Sequence, residues 1–161
     1  MFNMPIKILK ITKLDWLKVK PLLQDYNNYH NQLFLETDAA FSVYNYQCSS
    51  NDFAKMVNKK NKLFLAAYHD KTIIGFIYIY IIKMKFGQKN LKEGKISDLY
   101  VIKKYRGKGI AKMLWQQALD WFKENQCQFA QLHVLASNNI PQEIYKKWGF
   151  KAIGIHMKRK I

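Results

Sequence analysis

From Ile96 to Asn125 the sequence runs through a strand pattern, a basic glycine loop and a helical pattern without interruption, an order that leaves few folds open. Ile96-Ser97-Asp98-Leu99-Tyr100-Val101 reads as a strand, with Asp98 and Tyr100 on one face and Ser97, Leu99 and Val101 on the other. Lys103 to Gly109 is the loop, carrying Lys103, Lys104, Arg106 and Lys108 beside Gly107 and Gly109. Ile110, Leu114, Ala118, Trp121 and Phe122 then recur at helical spacing. The free N–H groups of such a helix start, together with the positive end of its dipole, face whatever sits on the loop, and small residues let the backbone approach it closely. A turn of this kind binds phosphate groups. It is neither a G-x-x-x-x-G-K-[ST] loop nor a dinucleotide G-x-G-x-x-G fingerprint. An ordinary tight turn with glycine capping duties accounts for the same residues.

Around this unit the pattern predicts alternating strands and helices. Ile6, Ile8 and Leu9 to Ile11 read as a first strand, and Thr12 with Asp15 three positions on opens a helix through Leu14, Leu17, Leu22 and Tyr26, kinked or broken at Pro21. Residues 27–51 carry no clear periodicity, and Asn51 or Asp52 caps a short helix to Val57. Leu63 to Tyr68 is a strand, followed by a turn at His69-Asp70-Lys71 and a β-rich run from Thr72 to Met84 that reads as two strands. A polar loop from Gly87 to Gly94 precedes Ile96. After the long helix come a strand from Phe129 to Leu135, a short helix with Pro141 in its first turn, a stop at Gly149 and a last strand from Phe150 to Met157. The expected class is α/β (α+β), a mixed sheet with helices on its faces, in a single domain spanning residues 1–161.

Composition narrows the function classes. Hydrophobic residues make up 49% with only 7 Gly and 3 Pro, which excludes disordered and collagen-like chains. Cys48 and Cys127 supply neither a disulfide framework nor a zinc cluster, and His30, His69, His133 and His156 show no metal spacing, so no metal is expected. The residues from Met1 to Lys13 lack a continuous apolar stretch like that of a signal peptide, and Ile73 to Ile82 is about half of a membrane span. A cytoplasmic protein without a membrane partner is the expectation. The net charge of +16 admits an anionic partner, yet only Arg106 and Arg159 are arginines, whereas groove readers and phosphate clamps favour the bidentate guanidinium. Solvated lysine faces are preferred here to a nucleic-acid site.

Arg106-x-x-Gly109-x-Ala111 resembles the acyl-CoA signature R/Q-x-x-G-x-G/A of the GNAT superfamily of N-acetyltransferases, and Ile96 to Val101 resembles the strand that precedes it there. Asn138 to Tyr145 followed by Lys146-Lys147-Trp148-Gly149-Phe150 is similar to that family's second motif, with Pro141 in place of the usual Ala. Gly75-Phe76 and the stretch from Asp98 to Arg106 resemble the diamine acetyltransferase branch, with Ser97 where that branch has Glu. The resemblance implies a mostly antiparallel sheet of about six or seven strands flanked by about four helices. It also implies direct acetyl transfer from acetyl-CoA to a primary amine. The pyrophosphate would sit on the loop from Arg106 through Gly107, Lys108 and Gly109 to Ala111, with Lys112 beside it, and the pantetheine arm would bond the backbone of Leu99 and Val101. Asn138 corresponds to a residue contacting that arm or ordering water; a helix cap explains it equally well. Tyr145 corresponds to the tyrosine that protonates the departing thiolate, and the base is left open between Asp98, another acid and a water chain, with Asp98 otherwise a structural or substrate-orienting carboxylate.

The resemblance implies that the acceptor is chosen at about residues 22–50, where Asp25, Tyr26, Tyr29, Glu36 and Asp38 form an acidic and aromatic group suited to a cationic amine; ordinary surface residues are the slightly preferred reading of the same group. A small amine such as a polyamine or aminoglycoside, a protein N-terminus or lysine, and a catalytically silent module binding CoA or nucleic acid all remain open. Pairing into a homodimer is an expectation by analogy with relatives.

Overall fold

Thr12 and Asp15 cap each other reciprocally: the Thr12 backbone N–H donates to Asp15 at 3.0 Å, and the Leu14 N–H donates to the Thr12 hydroxyl at 3.3 Å. This box starts the helical part of a computed structural model that describes residues 5–37, 48–57, 59–155 and 157. Strand β1 (Lys7–Lys10) leads through a single 3₁₀ turn into α1 (Trp16–Thr37), and α2 (Ser50–Val57) follows. Next come β2 (Lys62–His69), β3 (Thr72–Phe86), β4 (Lys89–Val101), a 3₁₀ turn at Lys103–Tyr105, α3 (Ile110–Glu124), β5 (Phe129–Leu132) and α4 (Asn139–Lys147). The strands lie in sequence order in one sheet, antiparallel except for the parallel β4–β5 pair. The expected mixed, mostly antiparallel sheet with four helices is therefore observed, with five strands among the described residues.

Alternation along β2 and β3 divides the core between the two faces. Phe64, Phe76 and Tyr78 pack with Val19, Leu22 and Leu23 of α1 and Phe53 of α2. Leu63, Leu65, Ile77 and Ile79 pack with Leu114, Ala118 and Phe122 of α3. Phe64 and Phe76 stack at 5.0 Å, and complete burial of each such ring contributes about 1.5–3 kcal/mol. Gly94 permits the closest approach on the other face, because a Cβ there would come within 2.5 Å of the Phe122 ring.

Several boundaries differ from the sequence-based expectation. Helix α1 runs unbroken past Pro21 and on to Thr37, well into the stretch without clear periodicity. Val19, Leu22 and Leu23 are all buried around the proline, and that burial outweighs the one backbone bond it removes. Leu14 and Leu17 stand exposed instead. Ser49, rather than Asn51 or Asp52, caps α2, accepting from the Asp52 N–H at 3.2 Å and donating to its carboxylate at 2.6 Å. The run from Thr72 is one strand of 15 residues, since nothing within it forms a turn, and the polar segment before Gly94 is already strand, leaving the turn at Gly87, where φ is +59°. Strand β5 stops at Leu132, and the described residues after Gly149 form no strand; Ile153 is 93% exposed, so no sheet neighbour covers it. The second half of β3 and the final segment account for the lower strand count.

Candidate functional site

The register between β3 and β4 is broken at one point. Tyr78 opposes Asp98 and the next residue, Ile79, opposes Ile96, so Ser97 is an extra residue bulging from β4. Simple alternation would turn Asp98 to the same face as Ile96, which packs against α3. The bulge places Asp98 beside Tyr78 on the opposite face, toward α1, with Tyr100 two residues on. Pairing of β4 with β5 also ends here, at Ile96 opposite Leu132, so from Ser97 to Val101 β4 keeps only its β3 neighbour among the described residues. A bulge bends its strand, and the two strands part where the bend begins.

Asp98 is the centre of the site. The Tyr26 hydroxyl of α1 donates to its carboxylate in a short hydrogen bond. Its negative charge acts on His30 of α1, Tyr78 of β3 and Tyr145 of α4. Burial first, then Asp98 and Tyr29, pushes the Tyr145 hydroxyl up to about 12. Burial and Asp98 likewise raise Tyr78 to about 12. A phenol with such an affinity for its proton is a donor and not a base at neutral pH.

A second carboxylate, Asp25, stands one residue before Tyr26 on α1. Tyr100 donates to Asp25 at 2.6 Å, and burial together with that bond raises Tyr100 to about 12. The Arg106 guanidinium lies 4.7 Å from the Tyr29 ring centroid and 5.4 Å from that of Tyr100, while its Nε donates to the Val101 carbonyl at 2.9 Å. These rings therefore already hold one cation on their faces. Tyr26 and Asp25 of α1 thus bond Asp98 and Tyr100 of β4, and Tyr29 packs against Tyr100. The Glu36 side chain and all of Asp38 lie outside the described residues. A groove of about 520 Å³ between α1 and the start of β3 also reaches Asp25, lined by Leu17, Pro21 and Ile73.

The glycine loop leads from the end of β4 into α3. Gly107 and Gly109 have φ of +75° and +78°, a conformation only glycine adopts freely, and a Cβ at either would meet nothing within 4 Å. The loop backbone at both glycines is open to approach, with Lys108 and Lys112 exposed beside it and Ala111 against the core. The edge of β4 at Leu99 and Val101, which β5 leaves unpaired, runs toward this loop. Asn138 stands at the N-cap of α4 and makes no side-chain cap bond. Trp148 stacks on Trp115 of α3 at 5.9 Å and 5°, while Tyr145 packs against Trp148 and Phe150, so this helix is fixed by its aromatic end.

Sequence reasoning missed Tyr78, Tyr100 and His30 at this site. The alternation of Phe76, Tyr78 and Tyr80 and the four-residue spacing of Tyr26 and His30 were the available signals. Among the described residues no three His, Cys, Asp or Glu side chains gather as a metal site, and no helix is long and apolar enough to cross a membrane.

The profile of the acetyltransferase (GNAT) family matches residues 22–150. No curated protein matches the chain significantly. Among solved structures, a tetramutant of the BH1408 protein from Bacillus halodurans is similar at TM-score 0.80 and 19% identity, over 96% of this chain and 99% of that one. An aminoglycoside acetyltransferase, meta-AAC0020, from an uncultured soil metagenomic sample and in complex with trehalose, gives TM-score 0.75 and 18% identity over 100% and 99%. A ribosomal-protein-alanine N-acetyltransferase from Brucella melitensis biovar Abortus 2308 gives 0.69 and 18% over 98% and 100%.

Proposed function

The chain belongs to the GNAT acetyltransferase family and is an acyltransferase, and from this premise we propose that it moves an acetyl group from acetyl-CoA to the primary amine of a small cationic molecule. The observation that carries the acceptor class is the pair of carboxylates, Asp25 and Asp98, set among Tyr26, Tyr29, Tyr78 and Tyr100 beside the unpaired edge of β4. Carboxylates attract an ammonium ion, and at a Debye length of about 8 Å the distant lysines are screened from it. The aminoglycoside acetyltransferase neighbour supports the same class by likeness of fold.

The co-substrate supplies an activated acetyl thioester when bound. Amides at Gly107 to Ala111 bind its phosphates with Lys108 and Lys112, and the backbone of Leu99 and Val101 orients the arm. Val101 is positioned to polarise the carbonyl through its N–H. Tyr145, held protonated by its burial, gives its proton to the departing thiolate. Asn138 contacts the arm from α4. We place the protein in the cytoplasm as one domain.

The test is thiol release from acetyl-CoA across polyamines, aminoglycosides, simple alkylamines and peptides, with Tyr145→Phe in parallel. Turnover of small cationic amines, lost in the variant, is the expected result. Turnover of peptides alone refutes the acceptor assignment, and absence of CoA binding refutes the transfer itself.

A further inference from the structure

An alkylamine is an ammonium ion at neutral pH and must lose a proton before it can attack an acyl carbon. Asp98 already accepts the Tyr26 hydroxyl and has the hydroxyl-bearing rings of Tyr78 and Tyr145 in its field. His30 stands one helical turn beyond Tyr26 on the same face of α1. Its ring lies 4.4 Å from that of Tyr26 and 5.8 Å from that of Tyr29, and it is half-buried within the electrostatic reach of Asp98.

We propose that His30 takes the proton from the acceptor ammonium, with Asp98 as the positioning residue that balances the imidazolium so formed. This assignment rests on the acetyltransferase reading and deepens it. The ammonium gives one proton to neutral His30. The free amine forms the C–N bond as the C–S bond of the thioester breaks. The thiolate takes a proton from Tyr145, the new amide nitrogen returns one to the Tyr145 oxygen, and His30 releases its own to water.

The surroundings suit that cycle. Burial lowers the His30 imidazole below its ordinary range while Asp98 opposes the shift, a balance that favours the neutral ring. The groups facing this cluster are Tyr26 and Tyr29 of α1, Asp98 and Tyr100 of β4, Tyr145 of α4 and the Arg106 guanidinium over Tyr29. Arg106 disfavours a second cation there and Asp98 favours one, which makes the protonated ring a transient state.

The proposal is tested with His30→Gln and acceptors of differing basicity, alongside an NMR titration of His30 in the ligand-free protein. The expected kcat/KM of the wild type falls as pH drops through the titration midpoint of His30. His30→Gln removes that limb and lowers kcat/KM by about 100-fold or more for an alkylamine, yet by much less for a weakly basic amine that is already unprotonated. Asp98→Asn moves the His30 midpoint downward. A retained acidic limb with wild-type rates, an equal loss for both acceptors, or an unmoved midpoint in Asp98→Asn overturns the assignment. Unchanged melting temperature and CoA affinity in His30→Gln separate these results from misfolding. Failure of the wild type to acetylate any amine sinks the acetyltransferase reading and this proposal with it, whereas turnover with an unchanged variant sinks the proposal alone.

Discussion

Deleting Ser97 removes the bulge from β4 without disturbing the pairs on either side of it. Ile96 stays opposite Ile79 and Asp98 stays opposite Tyr78, so every core residue keeps its face. Stability should change by no more than about 1 kcal/mol, or about 2–4 °C in melting temperature for a chain of this size. The straightened strand, however, continues in line with β5, and the edge from Leu99 to Val101 becomes available to pair with it. If the co-substrate arm depends on two backbone hydrogen bonds at that edge, each contributing about 1 kcal/mol, their loss weakens CoA binding by about 30-fold. Calorimetric titration with CoA gives the affinity, and hydrogen exchange at Leu99 and Val101 reports whether the edge has become protected. A folded variant that binds CoA as tightly as the wild type refutes the link between bulge, strand separation and cofactor site. A variant that no longer folds refutes the claim that the flanking register survives.

Further outcomes follow from single contacts. Tyr145→Phe should lower kcat by about 100-fold or more while leaving the melting temperature and CoA affinity near wild type, which steady-state kinetics and a thermal melt check together. The Tyr145 hydroxyl, raised to about 12 by burial, stays protonated well beyond the ordinary tyrosine range, so the rate should show no alkaline fall from this group below about pH 10. A pH–rate profile with a limb that vanishes in Tyr145→Phe near pH 8 would contradict this. Gly94→Ala drives a Cβ to within 2.5 Å of the Phe122 ring and should destabilise the fold by about 1–3 kcal/mol, with recovery in the double variant carrying Phe122→Leu, measured by denaturant unfolding.

The legible parts of the sequence were those in which neighbouring residues set the structure. The Thr12–Asp15 cap and the helical spacing from Ile110 to Phe122 are local, and each is found where the pattern predicts it. The bulge at Ser97 was not legible, because a strand with one extra residue differs from a regular one only in its pairing with β3. His30 and Tyr78 were hidden for the same reason: their common partner, Asp98, lies far from both in sequence. Pro21 misled in the opposite direction, since a local rule gave way to the tertiary burial of Val19 and Leu22. The turn expected within Thr72–Met84 failed because Gly75, the one turn-type residue in that run, is paired on both sides, with Ala67 and Val101, and the β-branched and aromatic residues after it continue the strand.

The central claim is that the separated edge of β4 and the loop before α3 receive the thioester beside Asp98. Backbone amide NMR during titration with acetyl-CoA tests it most directly. The prediction is that the largest shifts fall on Ser97 to Val101 and Arg106 to Ala111, with smaller ones at Asn138 and Tyr145. Shifts confined to lysine-bearing surface elsewhere, or to the groove lined by Leu17, Pro21 and Ile73, would contradict it.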